Sequence, residues 1–357
     1  MKKLLIVALI CSSNIYAQKE PVGTEGIQTI IDLFQKKPIV AIGETHGHLQ
    51  LYQFLTKLVQ TEGFYKNVND ILIESGNALY QETLDEYISG KDVEFSDLQK
   101  VWLNTTQSPV DPWSIDVYYN FLKTIRELNN LIPKNYRIRI IAADSSISWK
   151  NINTKEDYLK ERGSREEFYA KIAINEVLSK NHKALLINGG AHFGDHRVTT
   201  VNQRIEKVYP KSITVILAKS GLWKGNESIE EKLNWSIGTI AKVKDNWIGL
   251  LPGPRRIAIV TPTNNNSKKL SSTSNAPTSV SIQKPIGSPS KYKRQDYFDY
   301  ILYLGTSKDL KYGNIDASIY TSDKLWKELN RRSMIRFNHK LIEDSRKTGK
   351  LRPEAYN

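Results

Sequence analysis

The chain is poor in the residues that carry several common chemistries. It has one cysteine in 357 residues, Cys11, and two methionines. A single cysteine rules out an internal disulfide framework, a four-cysteine zinc site and a cysteine–cysteine redox pair. No apolar run approaches the roughly 20 residues needed to cross a bilayer. There is no Gly-x-Ser-x-Gly elbow, so Ser75 and Ser145, which follow candidate strands, read as loop residues. There is no phosphate-binding Gly-x-x-x-x-Gly-Lys loop, and Gly189-Gly190-x-x-x-Gly194 does not have the dinucleotide-binding spacing. Acidic residues are also in deficit: 38 Asp and Glu stand against 51 Lys and Arg, for a net charge of +13. The basic residues are spread along the chain with no aromatic–basic recognition motif, so nucleic acid is not an expected partner. Attraction to anionic envelope polymers is the interaction reading that the charge leaves open.

What is present begins with a leader-like segment. Lys2 and Lys3 precede the apolar run Leu4–Ile10, and small and polar residues follow to Ala17. This is the order of a secretory signal peptide. The expected cut follows Ala17 and leaves Gln18 first, giving a periplasmic or secreted protein. Lipid anchoring through Cys11 is the alternative; Ile10 stands where such a signal wants a small residue. Residues 1–17 are thus read as signal peptide, 18–261 as an α/β core, 262–293 as a low-complexity mobile loop, and 294–357 as a strand returning to the core followed by a basic helical tail. Between Asn264 and Ser290 there is no aromatic and no acidic residue, a composition that cannot bury enough apolar surface to order itself. A segment of that length can also serve as a lid over a site.

Within the core, short apolar runs alternate with helical patterns. Strands are expected at Pro38–Ile42, Asp70–Glu74, Arg137–Ala143, Lys183–Asn188, Ile213–Ala218 and Tyr297–Gly305. Helices are expected at about 49–62, 79–88, 118–131, 165–180 and 199–207, while 91–113 reads as irregular. Apolar residues recurring at i, i+3 and i+4 against short unbroken apolar runs argue for a mostly parallel central sheet with helices on both faces. The fold class is α/β, one large domain.

Polar residues collect where the strands end, the edge at which open α/β sheets bind ligands. The first run is followed by Gly43-Glu44-Thr45-His46-Gly47-His48, the second by Glu74-Ser75-Gly76, the third by Asp144, and the fourth by Gly189-Gly190-Ala191-His192. Each motif alone is weak; together, Glu44, His46, Glu74 and His192 form a candidate site if their strands lie side by side. Two carboxylates brought close cannot both ionise comfortably. A shared proton, protonated histidines or a divalent metal on Glu44, His46, Glu74 and His192 would each relieve that. A metal-free site with a histidine as general base towards water is equally open.

These motifs resemble those of the erythromycin esterase and ChaN-like superfamily, which includes the Tiki and TraB families. Ile42–Gly47 resembles its Gly-Glu-x-x-His or Gly-Glu-x-His signature, Leu72-Ile73-Glu74 its second acidic motif, and Asn188–Phe193 its Gly-x-x-His motif. Tyr300–Gly305 is similar to a late strand of these proteins. The resemblance runs from about Pro38 to Ala218 and returns near Tyr297. It implies an α/β fold with a central sheet and functional roles for Glu44, His46, Glu74 and His192. In the esterase branch it implies water activation by a histidine, in the Tiki branch a metal for proteolysis, and in the ChaN branch haem binding. The first motif is one residue shorter than in the macrolide esterases, and no capping helical region of their size is evident, so the resemblance does not carry macrolide hydrolysis over to this chain. The expected function is an exported hydrolase, esterase-like or metal-dependent-protease-like, acting on an ester, lactone or amide in a small molecule or peptide. The alternative is a protein that binds haem or another small ligand. The cofactor is accordingly none, a divalent metal or haem, and the oligomeric state is not legible.

Overall fold

A computed structural model describes residues 19–110, 113–195, 197–222, 227–253, 292–351 and 353. The expected signal peptide and nearly all of the expected 262–293 loop lie outside the described residues. Among the described residues, eight strands form one sheet: β1 (Thr24–Glu25), β2 (Ile39–Glu44), β3 (Asp70–Asn77), β4 (Arg139–Asp144), β5 (Ala184–Gly189), β6 (Ile213–Lys219), β7 (Thr239–Lys242) and β8 (Tyr300–Tyr303). The longer helices around it are α1 (Gly26–Phe34), α2 (Leu49–Gln60), α3 (Gln81–Ile88), α4 (Asp116–Leu131), α5 (Lys155–Arg162), α6 (Arg165–Ile172), α7 (Val201–Val208) and α8 (Asp323–Phe337).

The strand order is β1-β7-β8-β6-β2-β5-β3-β4. The six strands from β8 to β4 are mutually parallel, and β7 and β1 add an antiparallel edge. Every residue of β2, β3 and β5 is buried, which is why these strands are continuous apolar runs rather than alternating ones. Alternate residues face opposite sides. Val40, Ile42, Ile71 and Leu185 pack with α1 to α4, while Ile39, Ala41, Leu72 and Leu186 pack with α6 and α7.

The expected strands and most expected helices form near their predicted positions. The long helix expected over 165–180 differs: α6 stops at Ile172, a wider π turn runs from Ala173 to Val177, and a tighter turn closes at Lys180. Its apolar stripe holds it on the sheet even where the hydrogen-bond pattern changes. The stretch 91–113 includes two short helical turns, Phe95–Leu98 and Lys100–Leu103. The basic tail forms α8, but its arginines are not simply solvated. Arg332 donates to the Leu103 carbonyl and the Ser108 hydroxyl, Arg331 to the carbonyls of Trp149 and Ile152, and Arg336 to that of Ser108. Part of the positive excess therefore clamps loops above the sheet. Among the described residues no helix is long and apolar enough to cross a membrane.

Candidate active site

The four residues singled out in the sequence come from the ends of three strands, and the strand latest in the chain joins the other two. β5 lies between β2 and β3, so the ends carrying Glu44 and Glu74 are not neighbours; each flanks Gly189. Glu44 follows the side-chain parity of Val40 and Ile42 towards α2 and α4, and Glu74 that of Leu72 towards α6. The two groups thus leave opposite faces and meet over the top of β5. Gly189 makes this possible. A Cβ there would stand 3.0 Å from His46 Nε2 and 3.4 Å from Glu74 Oε2, so any larger residue would fill the space they share. Gly43 serves the neighbouring approach: a Cβ on it would come within 2.9 Å of the Gly190 backbone, where the Gly190 N–H donates to the Glu44 carbonyl.

His46 bonds through Nδ1 to Glu44 Oε1 at 2.8 Å. The Tyr118 hydroxyl donates to the same oxygen at 3.3 Å and accepts from the Gly47 N–H at 2.7 Å. Trp113 meets the imidazole edge-on, with ring centres 4.6 Å apart. Burial, and then the Glu44 charge, push the Tyr52 and Tyr118 phenols well above their ordinary pKa, so they face Glu44 as neutral hydroxyls. Burial of the His46 ring works against its charged form, but the charges of Glu74 and Glu44 outweigh it and raise the pKa.

Glu74 is held from four directions. Oε1 accepts from Arg165 at 2.5 Å and from Gln107 at 3.1 Å and faces His192 Nε2 at 3.2 Å, while Oε2 accepts from the Gly189 N–H at 2.6 Å. The other nitrogen of His192, Nδ1, is 2.9 Å from Glu166. Arg165 also pairs with Asp144 at 3.1 Å, and Asp144 accepts from the Thr106 hydroxyl at 2.7 Å. Arg165 and Glu166 open α6, which Ser164 caps through the Glu167 N–H. A glutamate suits the positive end of a helix; an arginine does not, and the two carboxylates around Arg165 offset that cost. Although buried, Glu74 has a pKa well below the ordinary carboxylate value, because His192, Arg165 and His46 together outweigh desolvation.

The carboxylates of the site have separate positive or polar partners: Arg165 pairs with Glu74 and Asp144, and His46 meets Glu44. Of the four candidate ligands, Glu74 and His192 are committed to protein partners, while Glu44 Oε2 is buried without a hydrogen-bond partner. Both oxygens of Glu74 and both nitrogens of His192 are engaged by protein groups, and a guanidinium already supplies the positive charge. Among the described residues no group of three or more His, Cys, Asp or Glu side chains is arranged to hold an ion. Arg165, Glu166, Gln107 and Tyr118 were not foreseen. Asp144 was visible as a third acidic strand end, but Arg165 and Glu166 open the second helix beyond it and read as ordinary first-turn charges. His48, adjacent to the first motif, lies apart from the site's chemistry: it caps α2 and bonds to Ser220, and burial lowers its pKa to about 4.

No family model and no curated protein matches the chain. Among solved structures, a Bacillus cereus protein aligns at TM-score 0.50 and 11% identity, covering 86% of this chain and 99% of the other. The two share a fold. A mutant of the erythromycin esterase EreC in its open conformation aligns at TM-score 0.47 and 10% identity, over 80% and 97% of the two chains. The haem-bound ChaN of Campylobacter jejuni aligns at 0.33 and 13%, over 57% and 92%. The α/β fold implied by the motif resemblance is the one the chain adopts.

The charge balance of the site has a measurable consequence. The folded pKa of Glu74 lies below its unfolded value, near the ordinary 4.5. Its contribution to stability is therefore complete above about 4.5 and is lost as pH falls through the lower folded value. Urea midpoints measured from pH 7 down to pH 3 should fall on the acid side, and Glu74→Gln should flatten that dependence. A variant with the same acid slope as wild type would show that Glu74 does not drive it.

Proposed function

We propose that the chain is a hydrolase that uses His46 to activate water for attack on an ester, lactone or amide carbonyl. One observation carries the reading. Side-chain exposure is 30% for His46 but 1% for Glu44, 3% for Glu74 and 8% for His192. His46 is the member of the set that a substrate can reach, and its Nε2 is not bonded to a protein group among the described residues. On this reading Glu44 accepts the Nδ1 proton and orients the ring, leaving Nε2 to take a proton from water. The hydroxide attacks the carbonyl carbon, and the Nε2 proton passes to the leaving oxygen or nitrogen as the carbon–leaving-group bond breaks. His192, engaged at both nitrogens, is a positioning residue that acts through Glu74. Export, with cleavage after Ala17 and a periplasmic or secreted location, belongs to the same proposal; the N-terminal residue of protein recovered from cells tests it.

The activity test is a screen of aryl esters, lactones and peptides followed over pH. A base with a raised pKa is available only above that value, so kcat/KM should climb with pH along a limb placed above the ordinary imidazole value of 6.5. Glu44→Gln removes one of the charges that raise it and should move the limb down while lowering the plateau. A limb that stays in place would take the Glu44–His46 pair out of the mechanism. The free Nε2 is also what a haem iron would need. A haem titration that gives an absorbance band dependent on His46, with no turnover in the screen, would favour the small-ligand reading.

A further inference from the structure

Helix α4 presents Tyr118, Phe121, Leu122 and Ile125 to the core, all buried, and at this spacing Tyr118 is one more contact of an apolar helical stripe. A buried phenol also carries a hydroxyl that has to find a partner. Here it finds two, on either side of His46. The hydroxyl accepts from the Gly47 N–H at 2.7 Å and donates to Glu44 Oε1 at 3.3 Å. That oxygen is the one 2.8 Å from His46 Nδ1. The Gly47 N–H occupies a lone pair of the phenol oxygen and leaves the phenol proton for the carboxylate. One side chain from a separate helix therefore bridges the two ends of the Glu44-Thr45-His46-Gly47 turn.

The backbone of the turn is pinned independently. The Gly47 carbonyl accepts from the Gly313 N–H at 3.0 Å. Gly47 has φ +75°, and a Cβ there would collide with Ile115, so the position takes no side chain. The Glu44 carboxylate is less constrained. Its Oε2 is buried with no hydrogen-bond partner, and it is held through Oε1, by His46 and by Tyr118. The Tyr118 ring reaches His46 by a second path: it meets Trp113 edge-on with centres 5.0 Å apart, and Trp113 meets the imidazole edge-on at 4.6 Å. Which nitrogen of a neutral imidazole carries the proton is set by the hydrogen bonds the ring makes. A carboxylate fixed at Nδ1 keeps the proton there and leaves Nε2 with its lone pair. A carboxylate free to swing lets the proton pass to Nε2, which then cannot act as a base.

We propose that Tyr118 is a positioning residue for the Glu44–His46 pair: its hydroxyl fixes the Glu44 carboxylate against Nδ1 and so keeps Nε2 of His46 open as an acceptor. The effect on rate rests on the reading of His46 as the base. The hold on the imidazole does not, because it is a property of Tyr118, Glu44, His46 and Gly47 alone.

The test is Tyr118→Phe, which removes the hydroxyl and keeps the ring that packs on Tyr52 and Trp113. The control is Tyr119→Phe, the next residue of α4, whose ring packs on Phe95 and Trp102 instead. Two readouts are taken on the full chain: steady-state kinetics on the best substrate of the screen, and the rate at which diethyl pyrocarbonate modifies residue 46 in alkaline buffer, read by fragment mass spectrometry. In Tyr118→Phe, kcat should fall about tenfold or more, as when a catalytic group loses its alignment. KM should stay, because Tyr118 is 5% exposed and does not meet the substrate. Labelling of His46 should slow about threefold or more as the proton moves to Nε2. Tyr119→Phe should change neither. Labelling of His46 in Tyr118→Phe at the wild-type rate overturns the proposal, whatever the turnover does. If wild type turns over none of the substrates, slowed labelling in Tyr118→Phe but not in Tyr119→Phe keeps the positioning role and removes the hydrolase reading. Hydrogen exchange on the unmutated protein does not depend on how the variant folds. The Gly47 amide should exchange slowly, and exchange at the rate of an open loop amide removes its bond to Tyr118 and overturns the proposal as well.

Discussion

Replacing His46 with glutamine should lower hydrolysis by about 10²- to 10⁴-fold, the usual contribution of a positioned general base, while the folded state survives. Glutamine keeps a donor near Glu44 but has no group that can take a proton from water. The change should fall on kcat, because His46 acts on the water and not on the parts of the substrate that set affinity. Circular dichroism and the urea midpoint should stay near wild type, since the side chain is partly exposed and substitutions at such positions shift stability little. Steady-state kinetics on the best substrate from the screen, with folding checked on the same preparation, decides the matter. A His46→Gln protein that folds and retains its rate would show that the His46 imidazole is not the base.

The second large effect is expected on stability. Arg165→Met should cost about 3–5 kcal/mol, the penalty for leaving buried carboxylates without their cation. Arg165 adds charged links between α6, on which it sits, β3 through Glu74, and β4 through Asp144. Loss of its charge should also raise the pH at which the protein unfolds in acid. Arg165 is one of the groups that keep Glu74 ionised, and without it the carboxyl takes up a proton at a less acid pH. The double variant Arg165→Met, Glu74→Gln should recover part of the loss, because the buried charge is then removed along with its partner. Urea unfolding at pH 7 of wild type, Arg165→Met and the double variant measures both effects. A loss within about 1 kcal/mol for Arg165→Met, the range of an exposed ion pair, would mean that water reaches the network and that the site is more open than its burial indicates.

The two predictions separate the roles of the two halves of the site. Glu44 and His46 form the reactive half, where one ring nitrogen is left unbonded. Glu74, His192, Arg165, Glu166 and Asp144 form a charged scaffold whose members hold one another. His46 substitutions should change rate more than stability, and Arg165 substitutions should change both. Gly189 divides the halves, and its lack of a side chain leaves open the space that both border.

The parallel core strands and their polar ends were legible from the sequence because burial on both faces leaves short, unbroken apolar runs, and four of the runs stop at a Glu, an Asp or a glycine pair. Gly43–His46, Glu74 and Gly189–His192 could be read as a group for that reason. The edge elements were harder. β1 is two residues long and β7 four, with half-polar composition, and such strands exist because a neighbour offers unpaired backbone groups rather than because of their own residues. The helix α1, in contrast, shows Ile27, Ile30, Ile31 and Phe34 at helical spacing and could have been found. Arg165 and Glu166 look like ordinary charges in a first helical turn, and nothing local marks their partners.

The amino-acid sequence alone determined the class of fold, which residues lie inside, and the collection of acids and histidines at strand ends, since these follow from apolar periodicity and from where it stops. Tertiary structure alone decided that β5 slots between β2 and β3, that Arg165 is the cation beside Glu74 and Asp144, and that His46 is part-exposed with no protein partner on Nε2 among the described residues, whereas both nitrogens of His192 are engaged. Uniformly apolar strands carry no preference for one neighbour over another, and a charge reveals its partner only when packing has brought the two within a few ångströms.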